Sequence, residues 1–156
     1  MLRSTLLALL VLLLGSPVPA AAQPDDSAFL RSMREWAEAT SGVPVGNGTP
    51  ADKIIFFGRN RGGELVVATI AALAPGGAWG DPAEGAVAAL RTRAAASPAP
   101  YPDDLAFAAR SGIPVFIVGE WQTPPMVWEV RRQGTGAHYR EVGAGGAPGP
   151  WRSPAL

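Results

Sequence analysis

The chain has 156 residues, with 13 basic and 13 acidic side chains, a single histidine and no cysteine. That length suits one domain able to bury enough apolar surface to fold unaided. Without cysteine there are no disulfides, no thiol catalysis, no Cys–His zinc site and no lipid attached to an N-terminal cysteine. Balanced charge without a basic stripe excludes an extended nucleic-acid face.

Met1-Leu2-Arg3 supplies a short positive start, residues 6–14 form an aliphatic run, and Gly15-Ser16-Pro17 ends it. The run is about half the ~20 residues that span a bilayer. Val18-Pro19-Ala20-Ala21-Ala22 offers small residues to a signal peptidase. This pattern predicts a signal peptide over residues 1–22, cut after Ala22 with Ala20-x-Ala22 as the recognition pair. The mature chain is then periplasmic or secreted, with no stable membrane insertion after cleavage.

Residues 27–40 place Phe29, Met33, Trp36 and Ala37 at helical spacing, and Ser41-Gly42 is a stop. The Gly/Pro/Asn-rich stretch 43–51 reads as a loop. Residues 53–57 and 64–70 are β-rich runs around a glycine turn at 58–63, which predicts an antiparallel hairpin at the centre of a sheet. Asp81-Pro82-Ala83-Glu84 has the chemistry of a helix start. Ala83, Val87, Leu90 and Ala94 continue one face, predicting a helix that carries Arg91 and Arg93 into solvent.

Alternate prolines at 98–102 favour extended backbone. A short helix follows from Asp103 or Asp104 to Arg110, with both carboxylates read as caps. Residues 113–118 predict a buried strand, 126–132 an alternating strand and 137–142 a last strand. Residues 143–156 read as a loose Gly/Pro-rich tail, with Trp151 able to dock. The predicted order is α-β-β-α-α-β-β-β: one α+β domain over residues 23–142, a mixed, mostly antiparallel sheet packed by about three helices.

Local patterns give little chemistry. His138 lies on the terminal strand with neither an orienting nor a substrate-side partner in the pattern around it. No G-x-S-x-G elbow is present. Gly58-x-x-x-Gly62-Gly63 lacks the Lys-Ser/Thr ending of a phosphate loop.

Three segments carry a resemblance: residues 66–75 (VVATIAALAP), 101–108 (YPDDLAFA) and 112–119 (GIPVFIVG). Together they resemble JAB/JAMM (MPN-type) zinc metallopeptidase domains, over a core of about residues 53–131. In that family a strand runs into His-x-His-Pro, a Ser-x-x-Asp opens a helix, and a Gly-Ile/Val-Pro strand follows. Carried over, the histidine positions become Ala72 and Ala74 before Pro75, the serine becomes Tyr101, and Asp104 alone matches a metal ligand. The family's upstream glutamate falls near Ala51, Asp52 and Lys53, with the register open. The gap from Ala74 to Tyr101 is longer than the family's.

The resemblance implies an inactive relative. Catalytic zinc needs three protein ligands and an open position for water, which one carboxylate and two methyl groups do not supply. No cofactor is therefore expected. The leading expectation is an exported non-catalytic binding or accessory domain that recognises a protein or envelope partner through Trp79, Tyr101, Asp104 and Trp121. Two alternatives stand beside it. One is a hydrolase of peptide or cell-wall bonds using Asp104, Asp52 or Glu64. The other is a structural envelope component attached through its tail. Oligomeric state is left open.

Overall fold

The computed structural model describes residues 26–41, 52–74, 76–93, 99–119 and 124–154. The signal-peptide expectation, with Ala20 and Ala22, and Trp121 lie outside the described residues. Helix α1 (Asp26–Thr40) leads into strands β1 (Asp52–Arg59), β2 (Leu65–Leu73) and β3 (Ala88–Arg93). Helix α2 (Pro102–Ser111) follows, then β4 (Val115–Gly119), β5 (Val127–Gln133), β6 (Gly136–Val142) and a 3₁₀ turn at Ala144–Gly146. One six-stranded mixed sheet has the order β2-β1-β3-β4-β5-β6. Only β3 and β4 pair in parallel, across the connection that contains α2. The fold is α+β, with two helices among the described residues rather than about three.

α1 forms because Phe29, Leu30, Met33 and Ala37 recur at helical spacing, and all four are buried against one face of the sheet. They pack with Ile55, Phe57, Leu90 and Phe116. The opposite face holds Ile54, Phe56, Ile117, Trp128 and Val130, covered by Trp79 and by Phe107 of α2. Strand residues of adjacent number thus feed two separate cores, which is why β1, β3 and β4 are apolar on both sides.

The hairpin turn between β1 and β2 is set by Asn60, whose Oδ1 accepts hydrogen bonds from the backbone N–H of Gly62 (2.9 Å) and Glu64 (3.0 Å). Gly63 supplies the positive φ of 83° that the turn requires. Asn60→Ala is expected to cost about 1 kcal/mol, the net worth of exposed hydrogen bonds of this kind. Urea unfolding monitored by tryptophan fluorescence would show it as a lower midpoint with an unchanged slope.

Three expectations are corrected. First, the hairpin is not central: β1 is flanked on both sides, but β2 is an outer edge, exposed at Val66, Val67 and Ile70. An apolar composition misled because it signals what a strand can bury, not what covers it. Second, residues 81–93 are not a helix. A turn closed by Ala86 N–H to Ala83 O (3.0 Å) runs into Gly85 at φ 71°, and Val87 N–H already bonds Phe57 O at 2.8 Å. From there β3 pairs with β1 and β4, and those long-range ladders override the alanine-rich propensity. Third, Arg91 and Arg93 do not face solvent; both are 1% exposed.

The segment 143–154 lies against β6 rather than hanging loose. Gly149 N–H bonds Glu141 O (2.8 Å), and Tyr139 and Arg152 exchange backbone bonds of 3.0 and 2.7 Å. The Arg140 guanidinium sits 4.2 Å from the Trp151 ring centroid, so Trp151 docks.

Candidate functional site

In β3 the residues Ala89, Arg91 and Arg93 alternate onto the α2 side of the sheet. Ala89 joins the core there, and the two arginines extend that row toward the end of the strand. On neighbouring β1, Asp52 occupies the same face as Ile54 and Phe56. α2 then brings in Asp104, its third residue, beside Arg93. Two guanidiniums and two carboxylates meet in a space where all four residues are buried.

Their contacts are specific. Arg91 donates from Nε (3.0 Å) and Nη2 (2.7 Å) to Asp52 Oδ2, and its Nη2 also reaches Gly77 O at 2.7 Å. Arg93 Nη2 donates to Asp104 Oδ2. Cross-pairs tie the two together: Arg91 Nη1 lies 3.6 Å from Asp104 Oδ1 and Arg93 Nη1 4.0 Å from Asp52 Oδ2. Asp104 accepts two further bonds, from Trp79 Nε1 (2.8 Å, to Oδ1) and from the Tyr101 backbone N–H (2.7 Å, to Oδ2). The last is the reach-back half of a capping box, so Asp104 caps α2 and neutralises Arg93 at once. Asp103 stays exposed at the helix start.

Aromatic rings enclose the cluster. Trp79 stacks on Phe107 with centroids 4.3 Å apart, and Arg91 lies 5.6 Å from the Trp79 centroid. The Arg93 guanidinium lies 3.6 Å from the centroid of the Tyr101 ring, which is 39% exposed and forms the outer cover. Desolvating four charges is expensive, and it is tolerated where each is paired and hydrogen-bonded. Here each is.

The sequence-derived positions separate into two groups. Trp79, Tyr101 and Asp104 lie together around the arginines. Trp79 is only 7% exposed and Asp104 not exposed at all, so neither can serve as a binding surface; both are engaged in holding the ion cluster. Ala72 and Ala74 are elsewhere: Ala72 pairs with Lys53 on the outer strand β2, and both alanines are exposed. Glu64 lies in the exposed hairpin turn, accepting from Asn60 Nδ2 at 2.8 Å. His138 contacts only Gln133 through its ring nitrogen among the described residues.

Sequence reasoning missed Arg91 and Arg93 and could not place Asp52. The available signal was Arg-x-Arg: a two-residue spacing points both side chains to one face of a strand, and two acids elsewhere in the chain can answer them.

A divalent cation does not fit this arrangement. Zinc requires lone pairs from three or four ligands, whereas the Asp52 and Asp104 oxygens accept hydrogen bonds from guanidinium, indole and amide groups. The other two side chains that converge there are cations. Among the described residues, no group of three or more His, Cys, Asp or Glu is placed to hold a metal.

A different feature faces outward. α1 and the β1–β2 hairpin bound an open groove of about 580 Å³, with Phe29, Trp36 and Leu65 as its apolar lining and Ser32, Glu35 and Arg59 among its polar groups. Compared with protein-family models, curated proteins and solved structures, the chain matches none.

Proposed function

We propose that the chain is an exported, non-catalytic binding domain of JAB/JAMM-like build, in which an ion cluster stands where that family holds zinc. The single observation behind this reading is that Asp52 and Asp104 are both spent on buried arginines. The order of elements supports the resemblance in a revised register. The strand that precedes the helix opened by Tyr101-x-x-Asp104 is β3, not β2. The His-x-His positions then fall on Arg91-x-Arg93, and the excess gap before Tyr101 largely disappears. Asp52, at the start of β1, takes the place of the family's upstream acid.

Two histidine positions filled by arginine convert a ligand set into a self-neutralising one. Such a site holds strands and helix together and activates no water. The hydrolase alternative fares worse on the same residues: Asp52 and Asp104 are buried and engaged, and Glu64 lies on an exposed turn, bonded to Asn60 and away from both. Export rests on the N-terminal pattern, and the partner is a protein or envelope component of unassigned identity.

The test is metal content. Protein purified from the culture periplasm or medium, exposed to zinc and then desalted, is measured by non-denaturing mass spectrometry. The reading predicts the mass of the metal-free chain beginning at Gln23. One tightly held zinc per chain, released on Asp104→Ala, would return the domain to the enzymes.

A further inference from the structure

We infer that β2 is a self-association edge: two copies of this chain pair β2 against β2, antiparallel about a two-fold axis, into one continuous sheet. An edge strand presents unpaired N–H and C=O groups along its outer side, and proteins ordinarily blunt it with charge, proline, shortness or a covering segment. β2 has nine residues, LVVATIAAL, with neither a charge nor a proline. Its Val66, Val67 and Ile70 are 38%, 36% and 61% exposed.

The two edges of the sheet are treated differently, and this selects the occupant. At the far edge, β6 carries His138, Arg140 and Glu141 and is partly covered by the chain's own Pro148 and Arg152 bridges. A head-to-tail array of β2 on β6 is therefore obstructed. What remains is β2 on β2, an isologous contact that closes at two copies. Such a pair meets with no like charge anywhere along the strands, so nothing electrostatic opposes it.

The ladder with β1 gives the face on which each β2 residue lies. Val67 pairs with Phe57 and Ile70 with Ile55, both α1-side core residues, while the register shift between Phe56 and Phe57 leaves Ala68 as the extra residue. Val67 and Ile70 thus share the α1 face, although they are three apart in sequence. A two-fold register with Val67 of one copy opposite Ile70 of the other keeps like faces together and sets the two exposed β-branched residues of that face against each other. Val66 then opposes Ala71, and Leu65 opposes Ala72. This covers Val67 and Ile70 with one another and brings the two α1–hairpin grooves to one side of the seam.

The chain lacks cysteine, so engineered thiols report the register directly. Light scattering on the purified protein is expected to give twice the chain mass. Ile70→Lys is expected to give the single-chain mass while still unfolding in one cooperative transition, since the residue is exposed, with a midpoint that no longer depends on protein concentration. Val67→Cys and Ile70→Cys, purified separately, are expected to cross-link on oxidation when mixed and not when alone. A single-chain mass for the unsubstituted protein at all concentrations would overturn the inference and leave β2 to a strand of some other protein. A dimer indifferent to Ile70→Lys, or cross-linking as strong in either variant alone as in the mixture, would also overturn it. Should Ile70→Lys fail to fold, the cross-linking pattern decides. None of these readouts depends on whether the domain binds metal, so this inference and the functional reading fail separately.

Discussion

Replacing Asp104 by alanine is expected to destabilise the domain by about 3–5 kcal/mol, the usual cost of stripping a buried ion pair of one partner. The carboxylate is fully buried and serves four groups: Arg93, Arg91 at 3.6 Å, Trp79 Nε1 and the Tyr101 N–H. Its loss leaves the Arg93 charge without its hydrogen-bonded acid, the indole N–H without an acceptor, and α2 without its capping carboxylate. These losses fall on one side chain because the cap of the helix and the counter-ion of the strand are the same group. Guanidinium or urea unfolding would register the change as a large drop in midpoint. A drop no larger than that of an exposed carboxylate, near the ~0–1 kcal/mol of surface ion pairs, would mean that water reaches the cluster.

The second large effect is expected from one methyl group. Gly146 adopts φ +83°, and a Cβ placed there would lie 2.6 Å from the Arg31 nitrogen, 2.8 Å from its Cα and 3.0 Å from the Leu30 carbonyl carbon. All three are backbone atoms of α1, which cannot swing aside as a side chain would. The left-handed conformation alone costs a non-glycine residue ~1–3 kcal/mol, and the clash adds to it. Gly146→Ala should therefore lift the 3₁₀ turn off α1 and release the bridge between Tyr139 and Arg152. Hydrogen exchange would locate the damage: the amides of Gly149 and Arg152 lose protection while those of β1 and β3 keep theirs. Uniform loss across the sheet would instead make this segment part of the global folding unit.

Much of the architecture was legible from local pattern. α1 announced itself by Phe29, Met33 and Ala37 at helical spacing, and the β5–β6 hairpin by alternation around Gln133-Gly134-Thr135-Gly136. The stretch 81–94 was not legible, because two periodicities coexist in it. Ala83, Val87 and Leu90 fit a helix, whereas Ala89, Arg91 and Arg93 fit one face of a strand, and only the pairing of β3 with β1 and β4 decides between them. That pairing joins residues far apart in sequence, which no local window contains. The same ambiguity concealed the site. Arginines on a helix belong in water; arginines two apart on a central strand must find buried acids. Once β3 is a strand, Asp52 and Asp104 follow as their partners.

The sequence resemblance was affected in the same way. Matching the His-x-His positions to Ala72 and Ala74 followed from taking the strand of residues 64–70 as the last before the α2 segment. A third strand, β3, lies between them, and under the proposed reading its two arginines take those positions.

The account rests on Arg93 and Asp104 acting as a single buried unit, and a double-mutant cycle measures that directly. Arg93→Met, Asp104→Leu and the two together are compared by equilibrium unfolding. The expected result is that the double variant is clearly more stable than the sum of the single losses implies, because removing both charges leaves neither stranded. Strictly additive losses would contradict it, since the two side chains would then be independent and the cluster would not be the element that occupies this site.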